Sequence, residues 1–333
     1  MSKDIYVVVE QRDGVIAKVG QELIGEAVKL AADLGQKVYA VLIGDAIADK
    51  AQSLIEYGAD GVVYVQDPIL KEYVTEPYAK ALTAVIKERD PEIVLYGATS
   101  IGRDLAPRVA SRIHTGLTAD CTKLDIDPES KLLLMTRPAF GGNIMATILC
   151  KVYRPQMATV RPGVMKRLER DASRRGEITE FKLAFDPSDM NVLVREVVKE
   201  KHKRTDITET KILVSGGRGI GSPEYFNTLR ELADVLGGEV SSSRANVDAG
   251  WIEKDRQVGQ TGKTVRPSLY LACGISGAIQ HVAGMEGSEC VIAINKNDTA
   301  PIFDVSDLGI VGDVKAIVPK LIEAVKKYKA ANA

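Results

Sequence analysis

Two successive series of short β-branched runs alternating with amphipathic stretches predict an α/β protein of two domains. Three observations carry that expectation. The chain has 333 residues, long for one compact core. The alternation breaks off near residue 118 and resumes near 208. A basic, polar stretch, "KEKHKRTD", separates the two series and reads as solvated linker. The expected architecture is a domain of residues 1–205 and a domain of residues 206–333. Each is a mainly parallel sheet with helices on both faces. The first carries added antiparallel strands and the second is Rossmann-like.

The first strands are "DIYVVVE" (4–10), "KVYAVLIG" (37–44), "GVVYVQD" (61–67) and "EIVLYGAT" (92–99). Between them "ELIGEAVKLAADLG", "AIADKAQSLIEYG" and "YAKALTAVIKERD" place apolar residues three and four apart, the spacing of a helix face. Strands joined through helices lie parallel in a sheet covered on both sides. "GRDLAPRVASRIHTG" is a further helix after the fourth strand. From Thr118 to about Arg161 the runs "KLLLMTRP", "NIMATILC" and "QMATVRPG" are broken by Gly-Gly and Pro and read as antiparallel strands. "VREVVKEKHKRTD" (194–206) begins strand-like and decays into the linker. "TKILVSGG" then opens the second series. In "SPEYFNTLRELADVLGG" Ser222 stands as N-cap, Pro223 at the first helical position and Gly237–Gly238 at the end. "SLYLACG", "CVIAINK" and "DVKAIVPKLIEAVKKYK" continue the alternation.

Composition excludes several function classes. Hydrophobic residues make up 45% and charged residues 27%, ordinary for a globular protein. A formal net charge of −1 gives no overall field to gather nucleic acid or an anionic membrane. Cys121, Cys150, Cys273 and Cys290 form no C-x-x-C pair, which argues against zinc or a disulfide framework and for a reducing compartment. The opening "MSKDIYVVVEQRDG" is neither a secretory signal nor a transit peptide, and no apolar run approaches the ~18 residues of a membrane span. The expectation is a cytoplasmic protein.

Three glycine-rich stretches in the second series invite a nucleotide reading. "GGRGIG" (216–221) lies between a strand and a helix, but from Gly217 the G-x-G-x-x-G spacing ends on Ser222. "GQTGKT" resembles the end of a P-loop, yet Gln257 stands where its first glycine belongs and a charged loop, "EKDRQ", precedes it. The third, "LACGISGAIQHVAGM" (271–285), places Ile275-Ser276-Gly277 at a strand-to-helix turn, with His281, one of only three histidines, just beyond it. Backbone N–H groups at such a turn attract phosphate. Ser243 and Arg244 follow another strand, and Arg218 a third. Two arginines and several hydroxyls at adjacent strand ends suit a diphosphate; ordinary loop turns with surface arginines are the alternative. No carboxylate pair and no Ser–His or His–Cys constellation stands out, so a bound cofactor would have to carry any chemistry.

Taken together, "SGGRG", "SSSRANVDAGW", "QVGQTGKTV", "GISGAIQHVAGM", "VIAINKNDTAPIF" and "DLGIVGDV" resemble the α subunit of electron-transfer flavoproteins. The segments occur in family order over about a hundred residues, and the first series resembles the family's first domain, so the likeness spans the chain. It implies one FAD held mainly by the second domain. Arg218, Ser243 and the turn Ser276–Gly277 would lie along the pyrophosphate. Asn295, Asp313 and Val314 would lie toward the adenosine. Val258, Gly259, Gln260 and Thr261 would wrap the ribityl chain and flavin edge, with the Thr261 hydroxyl near N5. Arg244 would lie over the isoalloxazine. Ala278, Ile279 and Gln280 would lead to His281 at the N1/C2-carbonyl end. Arg244, Thr261 and His281 are thus expected redox-tuning residues, and none is expected to be catalytic. A lone histidine at a helix start can also be a cap. At an effective dielectric of about 20, a unit charge ~4 Å away contributes roughly 4 kcal/mol. A third of that moves a one-electron potential by about 59 mV.

"IGRDLAPRVASRIHTGLTADC", "TRPAFGGNIMATI" and "RPQMATVRPG" look like the flavin-bifurcating, anaerobe-type branch. That implies a heterodimer in which the β subunit carries a second FAD taking hydride from NADH, with ferredoxin or flavodoxin as one acceptor. The flavin on this chain would pass electrons singly to an acyl-CoA dehydrogenase. A simple carrier would hold AMP in its β subunit instead. Lys263 reads as a loop cation and Trp251 as core packing, with proximity to the flavin as the alternative. A nicotinamide-dependent dehydrogenase and a purely structural protein are the rival functions; neither nucleic acid nor membrane insertion is expected.

Overall fold

The computed structural model describes residues 3–139, 144–198 and 205–331. These fall into two compact units, divided between Val198 and Lys199. The Gly-Gly pair at 141–142 and most of the expected linker lie outside the described residues.

The first unit opens with β1 (Ile5–Val9), a two-rung hairpin of β2 (Gln11–Arg12) and β3 (Val15–Ile16), and α1 (Lys18–Leu34). There follow β4 (Val38–Gly44), α2 (Ala51–Glu56), β5 (Gly61–Gln66), α3 (Thr75–Arg89), β6 (Ile93–Gly97) and α4 (Ser100–Ile113). Next come β7 (Leu117–Cys121), β8 (Lys123–Ile126), β9 (Leu133–Pro138), β10 (Met145–Ile148), β11 (Gln156–Val160) and β12 (Glu177–Glu180). One parallel sheet runs β12-β5-β4-β1-β6-β11-β7, and an antiparallel one runs β10-β9-β8. Leu23 and Ile24 of α1 and Leu54 of α2 cover one sheet face with Leu124, Leu133 and Met135 of the small sheet. Leu82 and Val85 of α3 and Leu105 and Val109 of α4 cover the other. Burying each such side chain stabilises by roughly 1.5–3 kcal/mol, which sets the faces firmly.

Two expectations for this unit need correction. The run at 156–163 is not an antiparallel addition: β11 lies parallel between β6 and β7, its five residues all buried. Burial on both faces is the hallmark of a central parallel strand. The strand-like start of 194–206 pairs with no strand over its described residues, and Val194, Val197 and Val198 are exposed.

The second unit contains β13 (Ile212–Gly216), α5 (Phe226–Leu236), β14 (Glu239–Ser242), α6 (Arg244–Asp248) and β15 (Leu269–Cys273). It ends with α7 (Ile279–Val282), β16 (Val291–Asn295), β17 (Leu308–Val311) and α8 (Val314–Ala331). The sheet order β14-β13-β15-β16-β17 is wholly parallel. Phe226 and Leu229 of α5 and Val318 and Ile322 of α8 pack on one face. The other face is covered by Val258, Val265, Ile275, Met285 and Ile302 from loops rather than by long helices. That loop cover over strand ends is where a site can form.

Candidate functional site

The chain leaves β13 toward β14 on one side and returns to β15 on the other, so the order reverses between β13 and β15. Such a reversal opens a crevice at the carboxyl ends of the strands. Here the glycine turns after both strands meet. Gly217 N–H donates to the Cys273 carbonyl (2.9 Å) and Gly219 N–H to the Gly274 carbonyl (3.0 Å). A Cβ on Gly217 would sit 2.2 Å from the Gly274 oxygen, so only glycine allows the approach. Gly216 is braced from β14 and α6: Ser242 Oγ and Asn246 Nδ2 both donate to its carbonyl (2.9 and 3.0 Å).

A cavity of about 750 Å³ opens over this junction, within the range of cofactor sites. Arg218, Ser243, Arg244, Ser276, Ala278 and Asn295 line it, as do Val258, Gly259, Gln260, Thr261, Gln280 and His281. Twelve of the expected site residues, drawn from five turns, therefore share one wall. Asn295 spans two of these turns, donating from Nδ2 to the Ile275 carbonyl (2.8 Å) and accepting from Asn297 N–H (2.9 Å). Arg244 pairs with Asp248 on its own helix at 3.1 Å, both side chains largely exposed. An exposed pair of this kind is weak, so the guanidinium can turn to an anion.

Four expected residues are not on the wall. Gly277 is buried, with φ +88, and a Cβ there would meet Ile302 N at 2.1 Å. The Ile279 side chain is 46% exposed. Asp313 pairs with Lys296 (3.0 Å) and accepts from Lys315 N–H (2.9 Å) at the start of α8. Val314 packs into the core while its carbonyl accepts from Tyr225 Oη (3.0 Å).

Ile275, part of the expected phosphate turn, also lines the cavity, as do Gly217, Gly219, Ala245, Gln257 and Gly274, which the sequence reading did not name as binding residues. Gln257 matters most: its Nε2 donates to Thr261 Oγ1 at 3.0 Å and leaves the threonine proton to be donated elsewhere. "EKDRQ" looked like a charged loop, but Arg256 within it is buried and paired with Glu239 (2.9 Å), and Gln257 is 4% exposed.

His281 is 7% exposed and its Nε2 lies 2.9 Å from the Tyr270 hydroxyl. Burial pushes its pKa down to about 4, which outweighs the opposing pull of the Val258 carbonyl. The imidazole is therefore neutral near pH 7, a dipole rather than a cation. The helix that carries it has four residues, too short for an appreciable macrodipole, so backbone turns and arginines supply the positive potential. Lys263 is a loop cation paired with Asp206 (2.9 Å), and Trp251 packs partly buried on the α5/α8 side of the core. The hydroxyl of Ser222 does not cap the turn it precedes.

These features fit a long, flat group with a diphosphate. The close glycine backbones leave room beside them, and His281 Nδ1 is buried without a hydrogen bond of good geometry. The described residues contain no cluster of metal-ligating side chains. No helix among them is long and apolar enough to cross a membrane.

Comparison with known proteins agrees with the geometry. Residues 5–186 match the family described as "Electron transfer flavoprotein domain" and residues 206–286 "Electron transfer flavoprotein FAD-binding domain". The chain is 58% identical to an "Electron transfer flavoprotein subunit alpha" of Thermoanaerobacterium thermosaccharolyticum, covering 98% of this chain and 99% of that one. It is 52% identical to the protein so named from Megasphaera elsdenii, over 98% and 97%. It is 47% identical to an "Acryloyl-CoA reductase electron transfer subunit beta" of Anaerotignum propionicum, over 99% and 97%. The strand-end crevice, its glycine turns and these likenesses over nearly the whole length place the chain in the electron-transfer flavoprotein α-subunit family.

Proposed function

We propose that this chain holds one FAD at the crevice between β13 and β15 and relays electrons one at a time within a heterodimer with a β subunit. The observation that carries the reading is the convergence of Arg218, Ser243, Arg244 and Ser276 with two glycine turns on one cavity wall. Arg218, Ser243 and the Ser276–Gly277 turn would bind the diphosphate through charge and backbone N–H groups. Asn295 would hold the adenosine end, with Asp313 and Val314 behind it. Val258 to Thr261 would enclose the ribityl chain and flavin edge, and Ala278 to Gln280 would complete the floor. When bound, FAD supplies reversible one- and two-electron chemistry that no side chain here offers. Arg244 would favour negative charge on the ring, the Thr261 hydroxyl would donate to it, and His281 would orient a neutral dipole toward it.

The β subunit would carry a second FAD, take hydride from NADH and pass electrons both to ferredoxin or flavodoxin and, through this chain, to an acyl-CoA dehydrogenase. Two points favour this bifurcating form over a simple carrier with AMP in the β subunit. The segments at 101–121, 136–148 and 154–163 resemble the anaerobe-type branch. A relative 47% identical is named as an electron transfer subunit of acryloyl-CoA reductase. A nicotinamide-dependent dehydrogenase is disfavoured because, among the described residues, the cavity wall carries no carboxylate and its one imidazole is tied to Tyr270.

Counting FAD and AMP released from the purified αβ complex tests the proposal. Two FAD and no AMP, with bleaching by NADH under anaerobic conditions, is the expected result. One FAD with one AMP and no reaction with NADH would replace bifurcation by simple carriage. A complex free of flavin would refute the site itself.

A further inference from the structure

Beneath the cavity wall lies a polar group of residues that the reading above leaves without a role. Tyr270 on β15 is fully buried, and its hydroxyl meets His281 Nε2 at 2.9 Å. Ser215 on β13 and Ser241 on β14 are register partners on neighbouring strands, also fully buried. Neither hydroxyl makes a hydrogen bond of good geometry, although both favour negative charge on the phenol oxygen. The other ring nitrogen, Nδ1, is buried and has no partner of good geometry.

A neutral imidazole has one nitrogen that donates and one that accepts, and a phenol has a single proton. A phenol O–H is a stronger acid than a neutral imidazole N–H, and a bare imidazole nitrogen is a stronger base than a phenol oxygen. The buried 2.9 Å contact is therefore best made with the phenol donating and Nε2 bare, which puts the ring proton on Nδ1. We infer that the Tyr270 hydroxyl donates to His281 Nε2 and thereby locks the imidazole in the tautomer protonated at Nδ1. Tyr270 is thus a positioning residue, acting on the cavity through His281.

The tautomer follows from the buried contacts themselves; only its consequence rests on the flavin reading. Under that reading His281 presents a dipole of fixed direction, so the potential of the bound group does not depend on which nitrogen carries the proton from one molecule to the next. A side chain left free to exchange tautomers would spread that potential.

The chain has only three histidines, so selective ¹⁵N labelling of the imidazoles in the full-length αβ complex gives a spectrum that substitution of His114 and His202 assigns. For His281 the expected signature is a pyrrole-type Nδ1 and a pyridine-type Nε2, with the Nδ1–H form favoured about tenfold or more. This is the reverse of free neutral histidine. In Tyr270→Phe, which keeps the ring and removes the hydroxyl, that preference should fall to about a few-fold or invert. A wild-type His281 protonated at Nε2 overturns the inference without any variant. An unchanged signature in a folded Tyr270→Phe protein overturns it too. Flavin released from the same sample keeps the two readings apart. An Nδ1–H signature in a flavin-free protein supports the lock and sinks the cofactor site, whereas an Nε2–H signature in a fully loaded one does the opposite.

Discussion

Among the described residues Arg244 is held only by an exposed pairing with Asp248 one turn along its helix, side chains 66% and 62% exposed. Removing it should leave the fold unharmed, within about 0.5 kcal/mol. If the guanidinium lies over the flavin, Arg244→Ala should lower the one-electron potential by up to about 59 mV. Redox titration against reference dyes reads the shift, and unaltered potentials would remove Arg244 from the ring. His281 carries a different signature. Its folded pKa is about 4 against ~6.5 in an unfolded chain, so the unfolded state takes up a proton that the folded state refuses. Its contribution to stability is present above about pH 6.5 and lost as the pH falls through about 4, a loss on the order of 3 kcal/mol. Urea midpoints of flavin-stripped protein should therefore drop between pH 7 and pH 5, and the drop should be smaller in His281→Gln. An equal drop in both would place the titrating group elsewhere.

The site's rigidity belongs to its elements. β13 and β15 are each followed by a glycine turn, the backbones of Gly217 and Gly219 meeting Gly274, and Gly259, with φ +141, would place a Cβ 2.8 Å from the Gln280 carbonyl. Gly217→Ala should destabilise the protein by about 1–3 kcal/mol and deplete its flavin, because a methyl against the Gly274 carbonyl must part the two strand ends. Urea unfolding and flavin content measured on one preparation check both halves of that statement; wild-type values in both would mean the turns give way cheaply. Element identity was largely legible from periodicity: β1, β4, β5, β6, β13, β15 and β16 lie within a residue or two of the sequence runs. α1 begins at Lys18, four residues ahead of its run, because Val19 packs into the core on its first turn. β17 has no such signal. Leu308 and Val311 are exposed at a sheet edge, so no buried pattern marks it.

On the scale of the molecule, each unit completes its own core, and the described wall of the cavity comes from the second unit only. The first unit displays Ile144, Met145, Val152 and Tyr153 in the open, the last two 78% and 61% exposed. Produced without a β partner, the chain should aggregate or lose flavin, and co-expression should restore it. Size exclusion with flavin absorbance checks this; a monodisperse, fully loaded monomer would speak against an obligate partner.

Sequence by itself determined the two-domain α/β plan, because periodicity reports which faces are buried, and the family, because six motifs keep their order. It also named most of the cavity wall. Spacing along the chain does not tell which strand neighbours which, so the parallel place of β11 and the meeting of Gly217 with Gly274 came only with the sheet order. The same holds for Gln257 on Thr261 and for Tyr270 on His281. Each joins residues whose proximity is set by packing and burial, and burial is also what makes the histidine neutral. A charge state of that kind is a property of surroundings, which a string of residues does not contain.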